Sequence, residues 1–225
     1  MKIIATDNNY GKINGSYGDP CWYLLTHSCL HRDNKPLYIP DWDDDFRLFP
    51  SLAIRIDRLG KSIPERFAHR YWNVWSFGFA MRGMKTLRRL TEAGLPAEAA
   101  CSFDTGAIIS PQWHEAERNA MDTLRFSVSD GINELDVWKY VSLRLKADAL
   151  IAFLSSRMTM KTGDIIFLGF PSEGIRLSRD MKIIVNKHIE PENDTISEPL
   201  CGFNIKAYPR ESKGAIGHVN DPSTR

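Results

Sequence analysis

Asp41, Asp43, Asp44 and Asp45 crowd four hard oxygen ligands into five residues. With His31 or Asp33 they could hold a divalent cation. An acidic run in a loop more often faces water, so the expectation is a solvated loop anchored by Trp42. A second group is cationic: Arg82, Lys85, Arg88 and Arg89. Arginine suits planar anions such as carboxylate or phosphate. Arg88 and Arg89 are adjacent and point in different directions from a helix, which suits a wet surface. Arg82 and Lys85 are the pair that could hold an anion.

Cys101 could act as a nucleophile with a histidine such as His114, and Asp104 lies three residues further on. A small buried cysteine is more often an inert packing residue, and Asp104 suits a backbone hydrogen bond in a loop. Ser172 sits in Gly-x-x-Ser-x-Gly, Gly169 to Gly174. A nucleophile elbow needs Gly-x-Ser-x-Gly, so the spacing excludes it. Glu65 and His69 stand one helical turn apart and read as a surface pair. His114-Glu115 lacks the second histidine of a zinc-protease helix, and there is no Walker loop or dinucleotide fingerprint.

The chain has 225 residues, 43% hydrophobic and 11% aromatic, enough for one substantial core. A formal charge of +1 gives no electrostatic reason to expect nucleic acid or an anionic membrane as partner. No apolar run reaches the length of a membrane span. The opening Met1 to Asp7 is too short and too soon interrupted for a signal peptide. Cys21, Cys29, Cys101 and Cys201 lack the close pairing of a zinc site, and are expected to be reduced thiols in a cytoplasmic protein.

The elements that must position these residues are mostly strands. Gly163-Asp164 predicts a turn, Ile165 to Leu168 a buried strand, and Gly169 to Gly174 a tight loop before the apolar run Met181 to Val185. Strands are also predicted at Met1 to Tyr10, Leu52 to Ile56, Trp72 to Phe79, Thr123 to Ser129 and Asp136 to Leu145, the last two joined by a turn at Asp130-Gly131. Ser62-Ile63-Pro64-Glu65 predicts a capped helix start. Further helices are expected over Lys85 to Ala93, stopped by Gly94, and over Asp148 to Ser156. Tyr71, Trp72, Trp75, Phe77 and Phe79 suit core or dimer-interface packing. From Asn186 the Pro-, Asn-, Ser- and charge-rich tail predicts an irregular extension. The sum is an α+β, mainly β domain over residues 1–185, with a polar extension over 186–225 that packs on it or is partly mobile.

The stretch Lys161 to Val185 resembles the signature of the fumarylacetoacetate hydrolase family, in which a TGD turn and strand lead to a TGTP-x-G loop. Here the loop reads Leu168-Gly169-Phe170-Pro171-Ser172-Glu173-Gly174. Asn9-Tyr10 resembles the family's NYxxH segment, Leu52 to Ile56 its LAVVI strand, and Cys101-Ser102-Phe103-Asp104 its KSFD. The resemblance implies a mixed β-sandwich roll and a homodimer. It also implies chemistry on acylpyruvates and other 2-oxo acids with Mg²⁺ or Mn²⁺ on three carboxylates, since a hard cation polarises paired carbonyls.

Carried onto this sequence, the three carboxylate positions fall on Phe49, Ser51 and Ala80, the lysine on Cys101, an arginine on Met84, and the water-activating pair on Ile13 and Ser16. The expectation is therefore a divergent member with no metal ligand set, no expected cofactor and no assigned catalytic residue beyond the weak candidates Cys101 and Asp104. The implied pocket is lined by Phe49, Ser51, Ala80, Arg82, Lys85, Cys101, Phe170 and Glu173, and would take a small anionic ligand or a partner. The alternative is an active hydrolase, isomerase or decarboxylase on a 2-oxo acid, with a rebuilt or metal-independent site.

Overall fold

A computed structural model describes residues 1–10, 19–31, 35–189 and 196–207. In chain order the elements are β1 (Ile3–Asp7), β2 (Cys21–Leu25), β3 (Leu30–His31), β4 (Leu37–Ile39), β5 (Phe46–Ile56), α1 (Glu65–Ala68), β6 (Trp72–Gly83), α2 (Met84–Glu92), β7 (Ala107–Ile109) and β8 (His114–Glu115). There follow α3 (Arg118–Met121), β9 (Arg125–Ser129), β10 (Glu134–Lys139), α4 (Ala147–Ser155), β11 (Ile165–Phe167), β12 (Ile175–Arg176), β13 (Lys182–Ile189) and β14 (Ile196–Ala207).

One sheet runs β2-β1-β11-β5-β6-β7-β3, with β12 also on β5 and β8 on β6; the other runs β10-β9-β13-β14-β4. Pairing is mixed: β1 with β11, β3 with β7 and β14 with β4 are parallel, and the remainder antiparallel. The fold is α+β and mainly β, as the strand-rich pattern predicts.

Alternation along each strand splits the larger sheet into two faces. Leu48, Leu52, Ile54 and Ile56 of β5, with Phe77, Phe79 and Met81 of β6, meet Phe126, Val128, Ile183, Val185, Phe203 and Ile205 of the smaller sheet. The Phe77 ring lies tilted against Phe126 at 5.8 Å, and Phe79 lies edge-on to Phe203 at 5.7 Å. Trp72, Trp75, Phe77 and Phe79 are thus buried in the chain's own core. The opposite face carries Ile3, Ala5, Leu25, Ala53 and Phe167, and continues toward Asp7, Tyr23, Phe49, Ser51, Ala80 and Arg82.

Two expectations are corrected. The chain does not become irregular at Asn186: β13 passes through that position to Ile189 and pairs with the twelve-residue β14, whose Phe203 and Ile205 lie in the core. Alternating apolar residues in β14 were diluted by Pro199 and Gly202, which hid the period. Ser62 is not a helix cap either. It has φ +50, its amide donates to the Ser155 carbonyl at 2.8 Å, and α1 begins at Glu65 behind Pro64 without a side-chain cap. The Ser155 hydroxyl accepts from the next amide, Ile63, so long-range bonds replace the local box.

The capping that does occur is remote. Asp43 Oδ2 accepts from the Thr86 amide in the first turn of α2 at 2.7 Å, and Oδ1 from the Asp45 amide at 2.9 Å. Burial opposes the charge, yet these amides outweigh it and hold the Asp43 carboxyl below its usual range. A folded-state pKa below the unfolded value means that the stabilisation is present at neutral pH and fades as pH falls through the folded value. Asp43→Ala is expected to cost about 2 kcal/mol at pH 7. The gap to wild type should shrink in melts below about pH 4; a gap that persists at pH 2.5 would disprove the charge's part in it.

Candidate functional site

Tyr23 and Asp7 on the edge pair β2 and β1, Phe49 and Ser51 on β5, and Ala80 and Arg82 on β6 share one face of the larger sheet by strand alternation. Phe49 is directly opposite Ala80 in the β5–β6 register, and Ala5 is opposite Tyr23. Cys101 closes the group from the segment after α2, packing with Leu90, Ala100 and Tyr23. Phe170 reaches in from the loop after β11.

At the centre is the Arg82 side chain, only 9% exposed. Its Nη2 donates to Asp7 Oδ1 at 2.8 Å and its Nε to the Tyr23 hydroxyl at 3.3 Å. The guanidinium carbon lies 4.4 Å from the Phe49 ring centre, 4.8 Å from Phe170 and 5.2 Å from Tyr23. Rings on several sides supply cation–π attraction in a low-dielectric setting. Burial works against the charge, but Tyr23 and Asp7 overcome it, and the guanidinium pKa is raised. Burial likewise pushes the Tyr23 hydroxyl up.

The loop that carries Phe170 is set by its glycines. Gly169 has φ +145, and a Cβ there would stand 3.0 Å from Asn9 Cβ and 3.1 Å from the Tyr10 ring. Gly174 has φ +83, and its Cβ would meet the Phe49 ring at 2.8 Å. Ser51, fully buried, donates to the Leu52 carbonyl at 3.0 Å and accepts from the Gly169 amide at 3.3 Å. Its hydroxyl is thereby committed to holding the loop. Asp164 of the TGD turn accepts from the Lys2 amide at 2.9 Å, from the Lys161 amide at 2.8 Å and from the Lys2 ammonium, which fixes β11 beside β1.

Of the residues singled out by sequence, Phe49, Ser51, Ala80, Arg82, Cys101 and Phe170 come together. Lys85 does not: it is the second residue of α2, where the strand's alternation has ended, and its ammonium pairs with exposed Asp44 at 2.8 Å. Glu173 is exposed, and its backbone carbonyl accepts from Arg47 Nη1 at 3.3 Å. Asp104 is exposed as well. The Cys101 thiol is pushed up to about 11, by burial first, against the pull of Arg82. A thiol that holds its proton at neutral pH is a poor nucleophile. His114 stacks on Trp75 toward the other end of β6 from Arg82, so it is no base for Cys101. Ile13, Ser16 and Asp33 lie outside the described residues.

Three carboxylates of the acidic run are engaged by protein groups, mostly from distant parts of the chain. Asp43 caps α2, Asp44 pairs with Lys85, and Asp45 sits between Arg47 at 3.3 Å and Arg176 at 3.4 Å. Trp42 packs edge-on against Phe46 at 4.7 Å and Phe103 at 5.0 Å. Among the described residues no group of three His, Cys, Asp or Glu side chains is arranged to hold a metal ion, and no helix is long and apolar enough to cross a membrane.

Sequence reasoning passed over Asp7 and Tyr23. Ile3, Ala5 and Asp7 alternate on one buried face, and a carboxylate at the end of such a face calls for a partner. That signal was present, but the partner is 75 residues away.

No family model matches the sequence. The oxaloacetate tautomerase FAHD2 of Arabidopsis thaliana is 28% identical over 182 residues, 77% of this chain and 80% of that protein. The oxaloacetate tautomerase FAHD1 of the same plant is 25% identical over 181 residues, with the same coverage. Among solved structures, fumarylpyruvate hydrolase from Pseudomonas aeruginosa, in complex with Mn²⁺ and pyruvate, superposes with a TM-score of 0.77 at 17% identity, covering 92% of this chain and 89% of that one. Yeast ynq8, a fumarylacetoacetate hydrolase family protein, gives 0.76 at 17% identity over 92% and 94%. The ordered motifs, the sheet topology and these relatives agree: the chain has the fold of fumarylacetoacetate hydrolase family proteins and is similar in sequence to divergent members of that family.

Proposed function

We propose that this chain keeps the family's scaffold as a binding site for a small carboxylate of the 2-oxo acid class, without the divalent-metal chemistry that the resemblance implies. The observation that carries this reading is Arg82, a buried guanidinium caged by Phe49, Phe170 and Tyr23 next to Ala80. The donor set does not fit Mg²⁺ or Mn²⁺. A phenyl ring, a methyl group and a hydroxyl already bonded to Leu52 and Gly169 offer no anionic oxygen, and the one carboxylate on this face, Asp7, is paired with Arg82. Arg82 adds a positive charge that would repel a second cation. The same charge suits a carboxylate, which a guanidinium binds through paired N–H donors. The 2-oxo acid class is supported by the relatives named as oxaloacetate tautomerases and by the pyruvate in the Pseudomonas aeruginosa complex. A homodimer and a cytoplasmic setting belong to this reading as expectations from the resemblance and from the unpaired cysteines.

Calorimetric titration with pyruvate and with oxalate tests it, run with EDTA and again with Mg²⁺ or Mn²⁺, beside assays of oxaloacetate tautomerisation and acylpyruvate hydrolysis. Binding that persists in EDTA and disappears in Arg82→Met is the expected result. Stoichiometric metal with metal-dependent turnover would overturn the reading, and turnover in EDTA would favour a rebuilt, metal-independent enzyme.

A further inference from the structure

We infer that Asp7 is an internal competitor for the Arg82 guanidinium, and that a ligand carboxylate enters by displacing it. This rests on the carboxylate-binding reading above and assigns Asp7 the part of a specificity-determining residue. The contact between the two is a single short hydrogen bond, Arg82 Nη2 to Asp7 Oδ1 at 2.8 Å, while Nε is turned to the Tyr23 hydroxyl at 3.3 Å. A guanidinium can offer two parallel N–H groups to one planar carboxylate. Asp7 therefore makes less of Arg82 than an untethered carboxylate can.

The two partners also differ in freedom. Three rings hold the guanidinium, and the Arg82 side chain is 9% exposed. The Asp7 side chain is 33% exposed, and Asp7 is the last residue of β1. Asn8 follows with φ +56, so the backbone turns out of the sheet immediately after it. When the pair opens, Asp7 can turn to water with little loss of solvation, whereas Arg82 stays in its cage. A displaced Asp7 remains anionic beside the site. It would repel a second carboxylate on the ligand and so favour monoanions over dianions.

The fraction of molecules with Arg82 released from Asp7 scales the apparent affinity. Asp7→Asn keeps the size and a hydrogen-bond acceptor but removes the competing charge. Calorimetry of this variant is expected to show pyruvate bound about tenfold more tightly than by wild type, as for a free fraction near one tenth, with a larger gain for oxalate, whose second carboxylate is also relieved of the repulsion. Asp7→Glu, which keeps the charge, should gain far less. If wild type binds, Arg82→Met does not, and Asp7→Asn gains nothing, the exchange is wrong while the carboxylate reading stands. If neither wild type nor Asp7→Asn binds either acid, the reading itself fails and the exchange with it. Carboxyl ¹³C NMR of wild type gives a second readout that does not depend on a variant's folding. Saturating oxalate should shift the Asp7 signal, and an Asp7 signal unmoved under saturation would overturn the exchange.

Discussion

Replacing Arg82 with alanine is expected to lower stability by about 3 kcal/mol, since breaking a buried pair leaves one charge without its partner. The value sits at the low end for such pairs because the Asp7 side chain is one-third exposed and can rehydrate. For a chain of this size the melting temperature should fall by roughly 6–12 °C. Two effects are mixed in that number: the unpaired Asp7, and the space left between the Phe49, Phe170 and Tyr23 rings. A double-mutant cycle with Arg82→Met and Asp7→Asn separates them, because methionine fills much of the volume without the charge. Coupling of about 1 kcal/mol or more between the two sites supports the ion pair. Strict additivity would mean that Arg82 is held by its aromatic neighbours alone.

The second large effect is expected at Asn9, which has no exposed surface. Its Nδ2 donates to the Leu145 carbonyl at 2.9 Å and to the Leu168 carbonyl at 2.6 Å, and its Oδ1 accepts from the Leu145 amide at 2.9 Å. One side chain thus ties the end of β1 both to the start of α4 and to the loop that carries Phe170. Asn9→Ala strands three backbone groups in a buried setting, and the loss should be about 3–5 kcal/mol by urea denaturation. Asn9→Asp should also be harmful, because a carboxylate cannot donate to the two carbonyls. Native-state hydrogen exchange at the Leu145 amide is the local check: it should quicken in Asn9→Ala by more than the global loss accounts for. Exchange unchanged from wild type would remove Asn9 from this role.

These two residues also show where a sequence can be read and where it cannot. Asn9-Tyr10 is legible as a motif, but only the structure shows what it clamps, since Leu145 and Leu168 are 136 and 159 residues away. The loop glycines are legible from their spacing, and the reason for them is visible only as Asn9, Tyr10 and Phe49 pressed against each Cα. Arg82 and Lys85 read as one cationic pair, yet β6 ends at Gly83 and α2 begins at Met84. Residues three positions apart across a strand end and a helix start do not share a face, so one cation is buried and the other sits in water. Ser62 and Glu65 carry a local helix-start signal, which the Ser155 carbonyl and hydroxyl override with bonds to Ser62 and Ile63.

The sequence by itself determined the strand-rich class, the turn and loop before β12, and the family resemblance, because alternation, turn residues and motif order are local and survive without any partner in view. It also determined that ring, hydroxyl and methyl groups stand at Phe49, Ser51 and Ala80. Only the tertiary structure decided that Arg82 is caged and paired with Asp7, that Asp43 caps a helix, and that β14 completes the second sheet. Those outcomes depend on strand register and on contacts across scores of residues, and a charge's partner is chosen by the space the whole fold encloses.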